Sequence, residues 1–365
     1  MVGEPEVVVG AEHDELAPAD RDDRILGRLD LPEIRIDPRV AHDARQLVVE
    51  ALAEDIHGRF PPLPGGPRTV TGSSGPAAPR VARPRERLVE LAARLRGRRA
   101  LVTGGSSGIG RALALALARR GAHVAILARG AAALAAVRDE LVAAATDPAQ
   151  RFAALPCDVA DAAAAARAVD GAAEALGGLD FVVNNAGVAL AQRFEDTELD
   201  AFRRVLDVNF HGTVHVTRAA LPHLRRAGGG DVCNVSSLAG LLAIYGYAAY
   251  APSKFAVTAF SEVLRQELRP HGIRVSVCFP PDVDTPMLAA EDRTKPAETR
   301  ALAGNAALLS AESVAETLLA GVVRGRAWII PGRSARLLAW GARMAPGLVR
   351  RIVDREIARA ARSQP

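Results

Sequence analysis

Tyr250 and Lys254 stand four residues apart in a chain of 365 residues that has only three tyrosines (Tyr245, Tyr247 and Tyr250) and two lysines (Lys254 and Lys295). Its other cationic side chains are arginines. On a helix, residues four apart share a face. An ammonium close beneath a phenol favours the phenolate and draws its pKa down from the usual value near ~10. Arginine would hold its proton permanently and present a wide fork, whereas lysine is a compact, tunable charge. A phenol tuned in this way is a general acid or base. The alternative is an accidental pair on a solvated helix face, and the elements upstream decide between the two.

Those elements begin with Arg99-Ala100-Leu101-Val102, which reads as a short buried strand. It enters Thr103-Gly104-Gly105-Ser106-Ser107-Gly108-Ile109-Gly110, followed by an Ala-rich apolar run from Arg111 to Arg120. A strand, a Gly-rich turn and a helix form the context a dinucleotide fingerprint requires. Gly104 suits the tight turn, Gly108 lets the backbone approach a pyrophosphate, and Gly110 permits close packing of helix on strand. The helix N-terminus offers unpaired N–H groups to phosphate.

The series continues with strands at His123–Ala128, Phe152–Val159, Asp180–Val183, Asp231–Val235 and Arg274–Phe279, and a seventh candidate at Ala327–Ile330. Helical stretches at Ala131–Thr146, Ala162–Leu176, Leu199–Arg226 and Phe255–Arg269 lie between them. Short apolar strands alternating with amphipathic helices predict an α/β fold, a doubly wound parallel sheet covered on both faces. Ligands bind such sheets at the carboxyl ends of the strands. The Gly-rich turn, Asn184-Asn185-Ala186-Gly187, Ser236-Ser237 and Pro280-Pro281 all fall there.

Residues 98–332 resemble the short-chain dehydrogenase/reductase family, on Thr-Gly-x-x-x-Gly-x-Gly at 103–110, Asn-Asn-Ala-Gly at 184–187, Asn209, Ser237 and Tyr250-x-x-x-Lys254. Ser237 lies thirteen residues before Tyr250, the family spacing, with Ser236 as the alternative. The resemblance implies a Rossmann fold and a set of roles. Tyr250 exchanges a proton with the substrate carbonyl, Ser237 hydrogen-bonds that carbonyl, and Asn209 holds a water in a proton relay. Lys254 lowers the Tyr250 pKa and holds the nicotinamide ribose. Gly104, Ser106, Ser107, Gly108, Ile109 and Gly110 line the dinucleotide, as do Asn185, Ala186 and Gly187. Asp158 is expected near the adenine, and Val283 and Thr285 near the carboxamide. The family commonly pairs subunits through its long helices, so a homo-oligomer is expected by analogy.

The end of the second strand bears on which dinucleotide binds. A carboxylate there would hold the ribose 2′-OH of NAD and repel a 2′-phosphate. This chain has Ala128-Arg129 instead. A guanidinium fork suits a phosphate, so NADP(H) is expected, with Ser106 assisting. Arg129 as a plain surface arginine is the competing reading. Pro280-Pro281-Asp282-Val283-Asp284-Thr285-Pro286 departs from the Pro-Gly turn usual after the sixth strand. With Glu291–Arg300, Phe194-Glu195-Asp196 and Tyr250–Phe255, it resembles the 3-ketodihydrosphingosine (3-dehydrosphinganine) reductases. These reduce the 3-keto group of a long-chain amino ketone with NADPH. A small, lipid-like ketone substrate is the implication; other ketone reductases, and a dinucleotide sensor without turnover, are the alternatives.

The flanks are different. Residues 1–95 read as an acidic, Pro/Gly-rich extension and linker with one candidate helix at 40–56, and there is no signal-peptide pattern. Residues 333–365 form a basic amphipathic tail in which Leu337, Trp340, Met344, Leu348 and Ile352 alternate with arginines. Such a tail either lies peripherally on the inner face of a membrane or packs on the catalytic domain or a partner subunit. No apolar run reaches the ~18 residues of a spanning helix. Cys157, Cys233 and Cys278 fall in or beside apolar strands, consistent with core thiols in a reducing cytoplasm. No His or Cys spacing suggests a metal, and no nucleic-acid reading motif accompanies the arginines.

Overall fold

The protein is described from a computed structural model over residues 91–303 and 308–362; residues 1–90 of the expected extension, with the helix at 40–56, lie outside the described residues, while Leu91 and Leu95, counted with it, pack in the core of the domain. The seven-stranded sheet is parallel throughout, in the order β3-β2-β1-β4-β5-β6-β9. Its strands are β1 (Arg99–Thr103), β2 (His123–Ala128), β3 (Phe152–Pro156), β4 (Phe181–Asn184), β5 (Gly230–Val235), β6 (Ile273–Cys278) and β9 (Trp328–Ile329). A small separate pair joins β7 (Val283–Asp284) to β8 (Leu309–Ser310).

The central strands are buried on both faces, because helices cover both. On one face lie α1 (Gly108–Ala118), α2 (Ala131–Ala143) and, late in the chain, α9 (Ala311–Val323); Leu113, Leu117, Leu134, Leu141, Leu318 and Leu319 share one apolar cluster there. On the other lie α3 (Ala162–Leu176), α5 (Gly212–Arg226) and α6 (Tyr250–Leu268), contributing Val169, Leu176, Val216, Leu224 and Leu264. This is the doubly wound arrangement expected from the sequence. Its strand order reverses between β1 and β4, which opens a crevice at their carboxyl ends. At the amino ends, Arg98 pairs with Asp180 and Asp231, and Arg274 also pairs with Asp231.

Leu199–Arg226 is not one continuous helix, as its periodicity suggests. It divides into α4 (Leu199–Leu206), a π-helical turn at Asp207–His211, and α5. The turn carries Asn209 into the interior, where it is 1% exposed. Its amide is caught by another loop: Oδ1 accepts from Val188 N at 2.8 Å and Nδ2 donates to Val188 O at 3.0 Å. A π turn at such a position is held by contacts distant in sequence.

Two short helices follow β7, α7 (Pro286–Glu291) and α8 (Ala297–Ala303). The tail forms α10 (Arg333–Met344) and α11 (Pro346–Arg362), divided before Pro346, whose ring disfavours helical backbone at Ala345. α11 lies against α8. Trp340, Met344 and Leu348 remain 49%, 63% and 56% exposed. Among the described residues, no helix is long and apolar enough to cross a membrane.

Candidate active site

The crevice begins at the turn after β1. Gly104 and Gly108 have φ of +66° and +50°, a region that L side chains avoid. A Cβ on Gly110 would lie 2.2 Å from the Gly104 carbonyl oxygen. The turn is therefore folded directly onto the start of α1. Ser107 occupies the N-cap without a side-chain capping bond, so the first N–H groups of α1 are left for another acceptor at the positive end of the helix dipole. A pyrophosphate fits this chemistry. Ser106 and Ile109 are half-buried on either side. Thr285 borders the turn from the far side: a Cβ on Gly108 would meet its methyl at 3.0 Å.

Thr103 ties this turn to the next. The backbone N–H groups of Asn185 and Ala186 both donate to Thr103 Oγ1 at 2.9 Å, and Asn185 Nδ2 donates to Thr103 O at 3.0 Å. Gly187 then passes over the interior: a Cβ there would lie 3.1 Å from Asn209 Oδ1 and 3.5 Å from Lys254 Nζ. Arg129 and Asp158 are exposed beyond the ends of β2 and β3. Arg129 has no ion pair or hydrogen bond among the described residues, whereas Asp158 Oδ1 accepts from Ala160 N at 3.0 Å. Val283 is buried, and its carbonyl accepts from Thr285 Oγ1 at 3.2 Å.

Tyr250 opens α6, and Lys254 follows one turn later and reaches the sheet at Val235. Ser237 caps the short helical turn after β5, accepting from Ala239 N at 3.1 Å, and its hydroxyl hydrogen-bonds the Tyr250 phenol. Ser236 is occupied elsewhere: its hydroxyl donates to Lys254 O at 2.9 Å, deep in the core. The geometry thus brings Ser237, not Ser236, to the phenol. Asn209 Nδ2 donates to Ser253 Oγ at 2.9 Å, and Ser253 donates to Tyr250 O at 2.7 Å, so the π turn grips the first turn of α6. Because both Asn209 amide protons are used, a water held by this residue must donate to one of its oxygens.

The electrostatics differ from the sequence expectation. Lys254 Nζ donates to Val235 O at 3.0 Å and lies 5.7 Å from the centre of the Tyr250 ring. Burial lowers its pKa to about 8. Burial pushes the Tyr250 phenol up, the Ser237 hydrogen bond opposes this, and the charges of Glu291 and Asp282 add to the rise. In this structure the Lys254 ammonium is directed at a backbone carbonyl, and burial outweighs what lowers the phenol pKa, leaving it raised. The phenol is protonated at neutral pH, the state of an acid rather than a base.

The other tyrosines and the second lysine converge on the same place. The Tyr247 ring lies 5.5 Å from that of Tyr250, and its hydroxyl donates to Glu291 of α7. Lys295, 5% exposed, bridges Glu291 at 3.0 Å and Asp292 at 2.9 Å. A parallel contact holds Tyr245: Thr299 Oγ1 donates to its carbonyl at 2.9 Å, and Arg193 pairs at 2.8 Å with Glu298, the acceptor for the Tyr245 hydroxyl. Tyr245 and Tyr247 also line a cavity of about 430 Å³ with Phe194, Ile244, Ala248 and Pro252. Thr103, Ser253, Tyr247 and Glu291 were not singled out by sequence reasoning. The scarcity that marked Tyr250 was an equal signal for Tyr247.

Among the described residues no group of His, Cys, Asp and Glu side chains could hold a metal. What the crevice can do is bind a dinucleotide along the Gly-rich turn and present one half-buried phenol, with a serine beside it, to a polar atom of a small molecule. Comparison with known proteins agrees with this geometry. The chain is 37% identical to a 3-dehydrosphinganine reductase of Danio rerio over 233 residues, 64% of this chain and 70% of that protein. A short-chain dehydrogenase/reductase of Burkholderia phymatum, solved with NAD, superposes with a TM-score of 0.62 at 26% identity, covering 70% of this chain and 96% of that one. A short chain dehydrogenase of Burkholderia cenocepacia, solved with NADP, gives a TM-score of 0.57 at 36% identity over 67% of this chain and 99% of that one. The family model for the short chain dehydrogenases matches residues 98–296, and the chain belongs to that family.

Proposed function

We propose that the protein reduces a ketone to a secondary alcohol on a long-chain amino ketone, 3-ketodihydrosphingosine, using NADPH. The observation that carries the chemistry is the meeting of a protonated, half-buried Tyr250 with the Ser237 hydroxyl at the mouth of the dinucleotide crevice. Ser237 and Tyr250 converge on the ketone oxygen; Ser237 polarises it by donating a hydrogen bond, and Tyr250 transfers its proton. A reduced nicotinamide, when bound, supplies the hydride. Lys254 and Asn185–Gly187 hold the ribose side, and Val283 and Thr285 the carboxamide side. Asn209 fixes the start of α6 through Ser253 and holds the relay water by an oxygen. The cavity lined by Phe194, Ile244 and Tyr247 gives an aliphatic chain an apolar surface one ring away from Tyr250. The likeness to the Danio rerio reductase supports the choice of substrate.

NADPH oxidation at 340 nm with 3-ketodihydrosphingosine, beside a 3-oxoacyl thioester of equal length, tests the assignment. Turnover of the sphingoid ketone alone is the expected result. Turnover of the thioester alone would keep the reductase and discard the amino ketone. Cofactor choice rests on Arg129, exposed and unpaired among the described residues at the end of β2. Arg129→Ala is expected to raise the KM for NADPH roughly ten- to hundredfold, the worth of a charged hydrogen bond, while NADH is little changed. Equal losses with both cofactors would remove the phosphate clamp.

A further inference from the structure

The acids around Tyr250 are unequal. Glu291 is taken by Tyr247 and Lys295, Asp292 by Lys295, and Glu298 by Arg193 and Tyr245. Asp282 is different: it is exposed, and its carboxylate has no hydrogen bond or ion pair among the described residues. Only its backbone is engaged, accepting from Leu309 N at 3.4 Å. Its place is set by its own turn, where Pro280 O accepts from Leu238 N at 3.0 Å, one residue beyond Ser237. Two residues after Pro280, Asp282 therefore belongs to a turn at the same strand ends as the Ser237–Tyr250 pair.

We infer that the Asp282 carboxylate is the counter-ion for an ammonium group carried on the carbon next to the reacting ketone, which makes it a specificity-determining residue. The inference rests on the amino-ketone reading above and identifies the part of this chain that would select for the amine. Two further observations support it. The Asp282 charge reaches Tyr250, Tyr247 and Lys295, raising the pKa of each. Lys295, the cation buried among these acids, is already shared by two carboxylates. The reactive phenol thus feels a carboxylate that no cation of this chain pairs among the described residues, while Lys254 is hydrogen-bonded to Val235 O. A neutral ketone gains nothing from that charge. A ketone with an adjacent ammonium brings the missing charge to the place where it is uncompensated.

The test compares 3-ketodihydrosphingosine with its N-acetyl derivative, which keeps the chain and ketone but has no positive charge. Both are run with the full-length protein, wild type and Asp282→Asn, at low and high salt. In the wild type the amine is expected to be preferred, and added salt should erode the preference. Asp282→Asn should raise the KM for the amine roughly five- to tenfold, leave that for the amide within twofold, and leave NADPH affinity unchanged. Asp282→Glu should restore part of the preference. Equal turnover of both ketones by the wild type would overturn the inference and leave the reductase standing. Equal losses on both ketones in Asp282→Asn would overturn it too, making Asp282 a structural residue of the turn. Turnover of neither ketone by the wild type would overturn the amino-ketone reading itself, and this inference with it.

Discussion

Tyr250→Phe is expected to lower ketone turnover by roughly two to four orders of magnitude, the range spanned by loss of a positioned general acid. NADPH affinity and folding should change little. The substitution removes one hydroxyl and keeps the ring against Tyr247 and the backbone carbonyl that Ser253 holds. The phenol is neutral in the folded protein, since burial and the charges of Glu291 and Asp282 all raise its pKa. Nothing charged is lost, so thermal stability should be unchanged across neutral pH. The same raised pKa makes a directional statement. Reduction needs the protonated phenol and is served at neutral pH, whereas oxidation of the alcohol needs the phenolate and should improve only as pH rises. Measured turnover in both directions for wild type and variant checks the assignment. Residual reduction above about a tenth of wild type would mean that another group delivers the proton, with Ser237 the nearest candidate.

Much of this fold was legible in the sequence because a parallel sheet covered on both faces must use nearly continuous apolar strands. Leu101-Val102, Val124–Leu127 and Phe181–Val183 show that pattern and form the centre of the sheet. The dinucleotide turn was equally visible, since Gly104, Gly108 and Gly110 answer steric demands that no other residue meets. What escaped depends on partners remote in the chain. The π turn at Asp207–His211 is set by Val188 and Ser253, which helical periodicity does not register. The contact of Tyr247 with Glu291 spans 44 residues, and β7 and β8 are two residues each, too short for any period. The direction of the Lys254 ammonium escaped for a related reason. Spacing shows that Lys254 shares a helix face with Tyr250, but its direction is decided by a carbonyl of β5.

Lys254→Met is expected to raise the stability of the cofactor-free protein while removing most of its activity. Lys254 is 5% exposed and is offered one carbonyl, Val235 O, for its three protons. Burial lowers its pKa from the ordinary 10.5 to about 8. That difference corresponds to about 3 kcal/mol of destabilisation at neutral pH. Losing the hydrogen bond to Val235 offsets about 1 kcal/mol of the gain, leaving about 2 kcal/mol. The sign with pH follows from which state holds the proton. Below pH 8 both the folded and unfolded chains are protonated here, and the penalty is full. Between pH 8 and 10.5 the unfolded chain alone keeps the proton, so the wild type gains on the variant as pH rises. Above that range both are neutral and the penalty is gone. Melting curves of the two proteins should therefore lie several degrees apart at pH 7, with Lys254→Met the more stable, and cross before pH 10.5, where only the lost hydrogen bond to Val235 separates them. A variant less stable than wild type at pH 7 would show that the ammonium is better solvated than its surroundings imply. The expected result, a stabler protein that has lost turnover, would mean that a buried lysine in a chain almost without lysines is kept for its charge and not for its packing.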